Sequence, residues 1–178
     1  MLRLLLLAGI AATTLVAQNA SGGWVGTVND AGVEQRIYLS LWQRGVNLIG
    51  IVTYGGEILP IEHAVVNDNK ATFETRDISD RVTTFELMLA GDRLSGQVNF
   101  GGRPLPLNLS PLTSDEHAHV VVLSIEADAR GRATNIRVHH SLGLNSDEKA
   151  IEAVRKLNFK WVYNSDGHRA TIEVILPQ

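Results

Sequence analysis

The chain contains no cysteine. That excludes disulfides and thiolate metal sites at once. Prolines number five in 178 residues, so there is no long proline-rich spacer. Charge of one sign is also missing. The 16 Lys and Arg against 19 Asp and Glu leave a net charge of −3, which gives no global electrostatic case for nucleic acid or an acidic membrane. No Gly-x-Ser-x-Gly, no P-loop and no Gly-x-Gly-x-x-Gly stands anywhere in the sequence, so the usual hydrolase, nucleotidase and dinucleotide-binding signatures are lacking. The leading apolar run, Leu4 to Ala17, falls short of the roughly 20 residues that span a bilayer. Arg3 precedes it, and its uninterrupted apolar part, Leu4 to Ala12, is followed by Thr13 to Ala20. The segment 1–20 therefore reads as a secretory signal peptide, cut after Ala17 or Ala20, with a retained anchor as the alternative. The expected location is periplasmic or secreted, with no membrane span after the signal is removed.

What the chain does have is an internal repeat. Gln35–Gly45 aligns with Arg81–Gly91, Leu48–Ile61 with Leu94–Leu107, and Trp24–Val28 with Lys70–Glu74, always at an offset of 46 residues. Such self-similarity means one supersecondary unit used twice. Each copy, about 24–67 and 70–112, reads as four short strands. A Leu-x-Gly-x-Val-x-aromatic strand alternates, a Gly-Gly pair signals a two-residue hairpin, and a Leu-Pro-apolar strand returns. Two copies predict an antiparallel eight-stranded β-barrel over 21–112, closed so that no edge is left exposed. Pro60, Pro104 and Pro106 belong at strand ends or edge-like positions, since proline cannot donate to a ladder. The opening Gly23-Trp24-Val25-Gly26-Thr27 also resembles the start of lipocalin-like barrels and of small β-domains in secreted bacterial proteins.

A short polar linker, 113–116, leads to a different pattern over 117–178. Val120–Ala127 is β-rich, Asp128–Arg132 has hairpin-loop composition, and Ala133–His139 alternates. Ser146 is suited to cap a helix, with Asp147 and Glu148 in its first turn. Ala150, Ile151, Ala153, Val154 and Leu157 recur at helical spacing. A polar turn at 164–168 precedes a last strand, Ala170–Leu176. The order is β-β-α-β, and the two units are expected to touch.

These residues resemble the C-terminal domain of the TonB family of energy transducers. The strand ending in Ala-Asp-Ala-Arg-Gly-Arg (127–132) is similar to the family's D-x-x-G-type turn. Val138–Gly143 is similar to its basic residue followed by Ser-Ser-Gly. The helix Asp147–Phe159 is similar to D-x-x-A-x-x-A-V-x-x-W-x-F. Leu142 stands where the family has the second Ser, and Trp161 where it has Pro. The resemblance implies a non-enzymatic interaction module that accepts an extended peptide beside its last strand, at Thr171, Ile172, Glu173, Val174 and Ile175. In the family that peptide is the TonB box of an outer-membrane receptor. An outer-membrane receptor or another envelope protein is thus the expected partner, and an open last strand would also permit a homodimer.

Other candidates carry less chemistry. Trp42, Tyr54, Phe85 and Phe100 could line a cavity for a small apolar ligand, although such side chains more often fill a small barrel. His117 and His119 share a strand face, where Asp115 or Glu116 could complete a metal site; a solvated strand entry explains them as well. His139 and His140, being sequential, point to opposite faces of a strand. Glu57, Glu62, Glu74 and Glu86 suit the polar face of alternating strands rather than paired acid–base work. Phe159 is expected under the helix and Trp161 outside it. No cofactor, no metal and no enzymatic activity are expected.

Overall fold

The computed structural model describes residues 19–113, 119–160 and 169–176. The signal segment 1–18, the His117 end of the linker, Trp161 and the 164–168 turn lie outside them. Eight strands close an antiparallel barrel in sequence order: β1 (Gly22–Asp30), β2 (Val33–Arg44), β3 (Asn47–Tyr54), β4 (Glu57–Asn67), β5 (Lys70–Arg76), β6 (Val82–Ala90), β7 (Arg93–Asn99) and β8 (Leu105–Pro111). Each repeat copy supplies four consecutive strands, and β8 pairs back onto β1. The repeated glycine of Leu-x-Gly-x-Val has a physical cause. A Cβ at Gly50 would meet the Ser40 carbonyl, and one at Gly96 would meet the Glu86 carbonyl. These two obstacles are themselves 46 residues apart. The neighbouring strand crosses too closely for any side chain.

The inward set is apolar: Ile37, Leu39 and Leu41 on β2, Phe73 on β5, Phe85 and Leu87 on β6, Leu107 and Leu109 on β8. Phe73 and Phe85 stack at the centre, with centroids 4.9 Å apart and planes 16° apart. At the lower end Trp24 Nε1 donates to the Ala20 carbonyl (2.9 Å), and the buried Ala20 amide donates to Gln43 Oε1 (2.8 Å). Pro60 and Pro106, repeat equivalents, sit where β4 and β8 are paired on one side only, and Pro104 lies in the loop before β8. The first Gly-Gly is the expected tight turn, with φ 59° at Gly55 and 82° at Gly56. The second is not: residues 100–104 form a longer loop, because Asn99 Oδ1 accepts from both the Gly101 and Gly102 amides.

The C-terminal part adds β9 (Val120–Ala127), β10 (Ala133–His140), α1 (Leu144–Arg155) and β11 (Arg169–Ile175). The strands form a three-stranded sheet in the order β10-β9-β11. The helix begins two residues before Ser146, capped at Gly143. The reason lies in Asp147. Its carboxylate accepts the Ser141 hydroxyl (2.6 Å) and the Leu142 amide (3.2 Å), which ties the entry loop to the first turn. Ala150, Ala153, Val154 and Leu157 are buried as the spacing requires, and Phe159 is sealed beneath the helix.

The two parts share a core. Val121, Leu123, Ile125, Val154, Phe159, Ile172 and Val174 pack with Ile51 of the barrel wall, and Trp42, Ile49 and Ile58 join them. A second contact joins Val25 and Tyr38 to Val120 and Ile175. Thr53 Oγ1 donates to the Ile175 carbonyl across the seam (2.8 Å, buried). The outer faces of β1 to β4 are therefore an interface, while the outer face of β6 is exposed.

Candidate functional site

Among the described residues the last strand has one neighbour in its sheet, β9, over seven unbroken pairs from Arg169↔Glu126 to Ile175↔Val120. Which backbone groups face outward follows from two hydrogen bonds. The Leu176 amide donates to the His119 carbonyl, toward β9 (3.0 Å). The Ile175 carbonyl accepts from Thr53 on the other side. Backbone groups alternate in an antiparallel ladder. Leu176, Val174, Ile172 and Ala170 thus face β9, and Ile175, Glu173, Thr171 and Arg169 face outward.

This divides the expected peptide-binding residues. Thr171 and Glu173 present their N–H and C=O at the edge. Ile172 and Val174 have backbone groups directed to β9 and side chains in the shared core. Ile175 is buried against the barrel and its carbonyl is already engaged. The usable edge is the 169–173 end. The opposite edge, β10, is blunted: its pairing slips twice, Asn135 has φ 47°, and His139 and His140 are exposed. Bulges and charged side chains are the usual protection of an edge.

The solvent face of the small sheet is a polar groove of about 370 Å³, lined by Ser124, Glu126, Arg137, His139, Arg169 and Thr171. Arg169 Nε donates to Glu126 (3.1 Å), and a His139 ring nitrogen shares a hydrogen bond with the Ser124 hydroxyl (2.8 Å). Alternate side chains of a strand added beside β11 would extend this face.

The aromatic cavity set also divides. Trp42 faces out of the barrel and packs against the C-terminal layer, because even positions of β2 point away from Leu39 and Leu41. Phe85 is buried in the filled interior. Tyr54 and Phe100 stand at the upper mouth. They end β3 and follow β7, which lie opposite each other in the barrel order. Their rings nevertheless approach to 5.4 Å, so they bridge the opening. Tyr54 Oη is hydrogen-bonded to Thr83 Oγ1 (3.1 Å). Around them is a depression of about 440 Å³ that also includes Asp30, Gln35, Glu57, Asp77 and Arg81.

Asp77 is fixed by its own loop. Its carboxylate accepts the Ser79 and Arg81 amides and the Arg81 guanidinium (2.8, 2.9 and 2.7 Å). The Arg81 amide is the largest cause holding its carboxyl below the ordinary range, against an opposing effect of burial. The β9–β10 loop repeats this arrangement. Asp128 accepts the Arg130 and Arg132 amides and the Arg132 guanidinium, and its carboxyl is lowered for the same first cause. The remaining carboxylates named from sequence form surface pairs: Glu74 with His63, Glu86 with Lys70, Glu62 with Arg76. His117, Asp115 and Glu116 lie outside the described residues.

Comparison with known proteins gives no match to any family model, to any curated protein or to any solved structure.

Proposed function

We propose that this chain is an exported, non-enzymatic interaction protein that binds an extended peptide of an outer-membrane receptor or other envelope protein. The peptide adds as a fourth strand beside the 169–173 end of β11. One observation carries the reading: Thr171 and Glu173 hold outward backbone groups on a strand that, among the described residues, is paired on one side only. Each offers one donor and one acceptor to a partner chain. The TonB-like pattern of strand, loop and helix supports the same mode. The barrel serves as the platform that fixes β11, through Thr53 and the shared core. Among the described residues no helix is long and apolar enough to cross a membrane.

Export is part of the proposal, with signal cleavage after Ala17. The hydrogen bonds and burial of Ala20 support that choice over a cut after Ala20, which would remove it. Mass spectrometry of the secreted product reads this directly.

The test of strand addition uses the full chain, a panel of extended receptor-derived peptides, and each peptide N-methylated at alternate residues. Glu173→Pro removes one outward donor and leaves the β9 ladder intact. A peptide that binds should lose about tenfold or more in affinity for that variant, and its N-methylated form should not bind. Equal binding by both forms, or by Glu173→Pro, ends the proposal. So does concentration-dependent dimerisation through β11 that no peptide displaces.

The alternative, an apolar ligand inside the barrel, meets a filled interior at Phe73, Phe85, Leu39 and Leu107. The depression at the mouth lies outside that filled interior, and it is polar.

A further inference from the structure

The barrel mouth has three features that the peptide-binding reading does not use. The first is aromatic. Tyr54 and Phe100 occupy the same place in the two repeat copies, and closure brings their rings together over the interior, tilted by 54°. The second is electrostatic. Three carboxylates, Asp30, Glu57 and Asp77, line the depression with one guanidinium, Arg81. Arg81 is spent on Asp77, a carboxylate only 5% exposed. Among the described residues Asp30 and Glu57 carry no ion pair. The excess at the mouth is therefore negative, beside two π-faces.

The third feature is independent of charge. Thr75 is the last inward residue of β5 before the 77–81 loop that rims the depression. It is 0% exposed, and its hydroxyl has no hydrogen-bond partner. Its cross-strand neighbour is Thr83, whose own hydroxyl is taken by Tyr54. Buried hydroxyls are almost always partnered, and an orphan asks for an explanation. Thr75 does not itself line the depression, so the orphan marks spare polar capacity beneath the mouth and not a contact for a ligand.

We propose that the mouth is a binding site for a small methylated-ammonium compound, its cationic head over the Tyr54 and Phe100 rings and against the Asp30 and Glu57 carboxylates. Aromatic faces attract cations most where water is partly excluded. The carboxylates add attraction that an anion or a neutral molecule cannot use. Gln35 and Thr83 are the polar groups that a hydroxyl or carbonyl on the same ligand would meet. The depression is much larger than one ammonium head, so the ligand carries a further polar arm.

Choline and its neutral isostere 3,3-dimethylbutan-1-ol form the test. Each is titrated into the full chain while the backbone amides of Gly55, Thr83 and Phe100 are followed by NMR. Choline should shift them saturably, and the neutral alcohol should bind at least about tenfold more weakly. Glu57→Gln combined with Asp30→Asn should weaken choline about tenfold and leave the alcohol unchanged. Phe100→Leu should weaken choline without touching the carboxylates. Equal binding of the two compounds overturns the proposal. Absence of a saturable shift at the mouth overturns it, as does choline binding that survives loss of both carboxylates.

Discussion

Two buried threonines, given the same substitution, should respond in opposite directions. Thr75 and Thr53 are 0% and 1% exposed, both on strand interiors. Thr75 has an unpartnered hydroxyl. Thr53 donates to the Ile175 carbonyl, bridging the barrel and the C-terminal sheet. A buried hydroxyl without a partner costs about 1–3 kcal/mol, and so does a carbonyl orphaned by removing its donor. Valine keeps the branched shape and replaces the hydroxyl by a methyl. Thr75→Val should therefore stabilise the protein by about 1 kcal/mol, and Thr53→Val should destabilise it by about 1–3 kcal/mol. For a chain of this length about 1 kcal/mol corresponds to about 2–4 °C in Tm. Urea unfolding at constant slope is the assay, since a shift in midpoint alone reports stability. Loss of stability in Thr75→Val would mean that the hydroxyl is bonded in solution. A neutral Thr53→Val would mean that the seam between the two parts is not held by that bond.

Other perturbations test the remaining pieces. Ile51→Ala should cost about 2–5 kcal/mol, because Ile51 sits in the core shared by barrel and sheet; the repeat-equivalent Gln97→Ala, on an exposed wall, should stay within about 0.5 kcal/mol. Gly131→Ala should lose about 1–3 kcal/mol by thermal unfolding, since φ is 80° there and a Cβ would strike Asn158 and Lys160. At the matching position of the other loop Asp80 has φ 63° but accepts from the Arg76 guanidinium (3.0 Å), so relief of backbone strain in Asp80→Gly is offset and its stability should stay within about 1 kcal/mol of the parent. Asp77 and Asp128 have carboxyls lowered by their loop amides and guanidinium partners. Their stabilisation is present above the unfolded-state carboxyl range, near pH 4, and is lost as pH falls through the lowered folded values. Acid titration of Asp77→Asn and Asp128→Asn should flatten that limb, and an unchanged limb would refute the assignment.

The barrel was legible because closure and strand count follow from local signals: alternation, a repeat offset and hairpin glycines. What escaped was which wall is covered, although the sequence held the clue. Outward positions of the second copy are polar, as Thr84, Glu86, Ser95, Gln97 and Asn99. Their equivalents in the first copy are Tyr38, Ser40, Ile49, Ile51 and Thr53; Ser40 is buried, and the other four meet the C-terminal layer. Comparing the copies position by position would have turned Trp42 outward before any coordinates. The start of α1 differs because Ser146 suits an N-cap by composition, whereas the cap is Gly143; Asp147 does lie in the first turn, and it also binds backward to Ser141 and Leu142. The five-residue loop that suggested the TonB family at 128–132 recurs at 77–81 with the same bonds. It is a local solution to a hairpin with Asp at its start and Arg at its end. The division of β11 into a free end and a docked end depends on hydrogen bonds to residues far away in sequence, and no local pattern encodes that.

The most direct test of the central claim is a map of backbone amide shifts of the full chain during titration with an extended peptide that binds it. Strand addition at β11 predicts large shifts at Thr171 and Glu173. The amides of Ile172 and Val174, which face β9, should stay protected, and Ile175, held by Thr53, should be unmoved. Shifts confined to β10 or to the barrel mouth, with Thr171 and Glu173 silent, would contradict it.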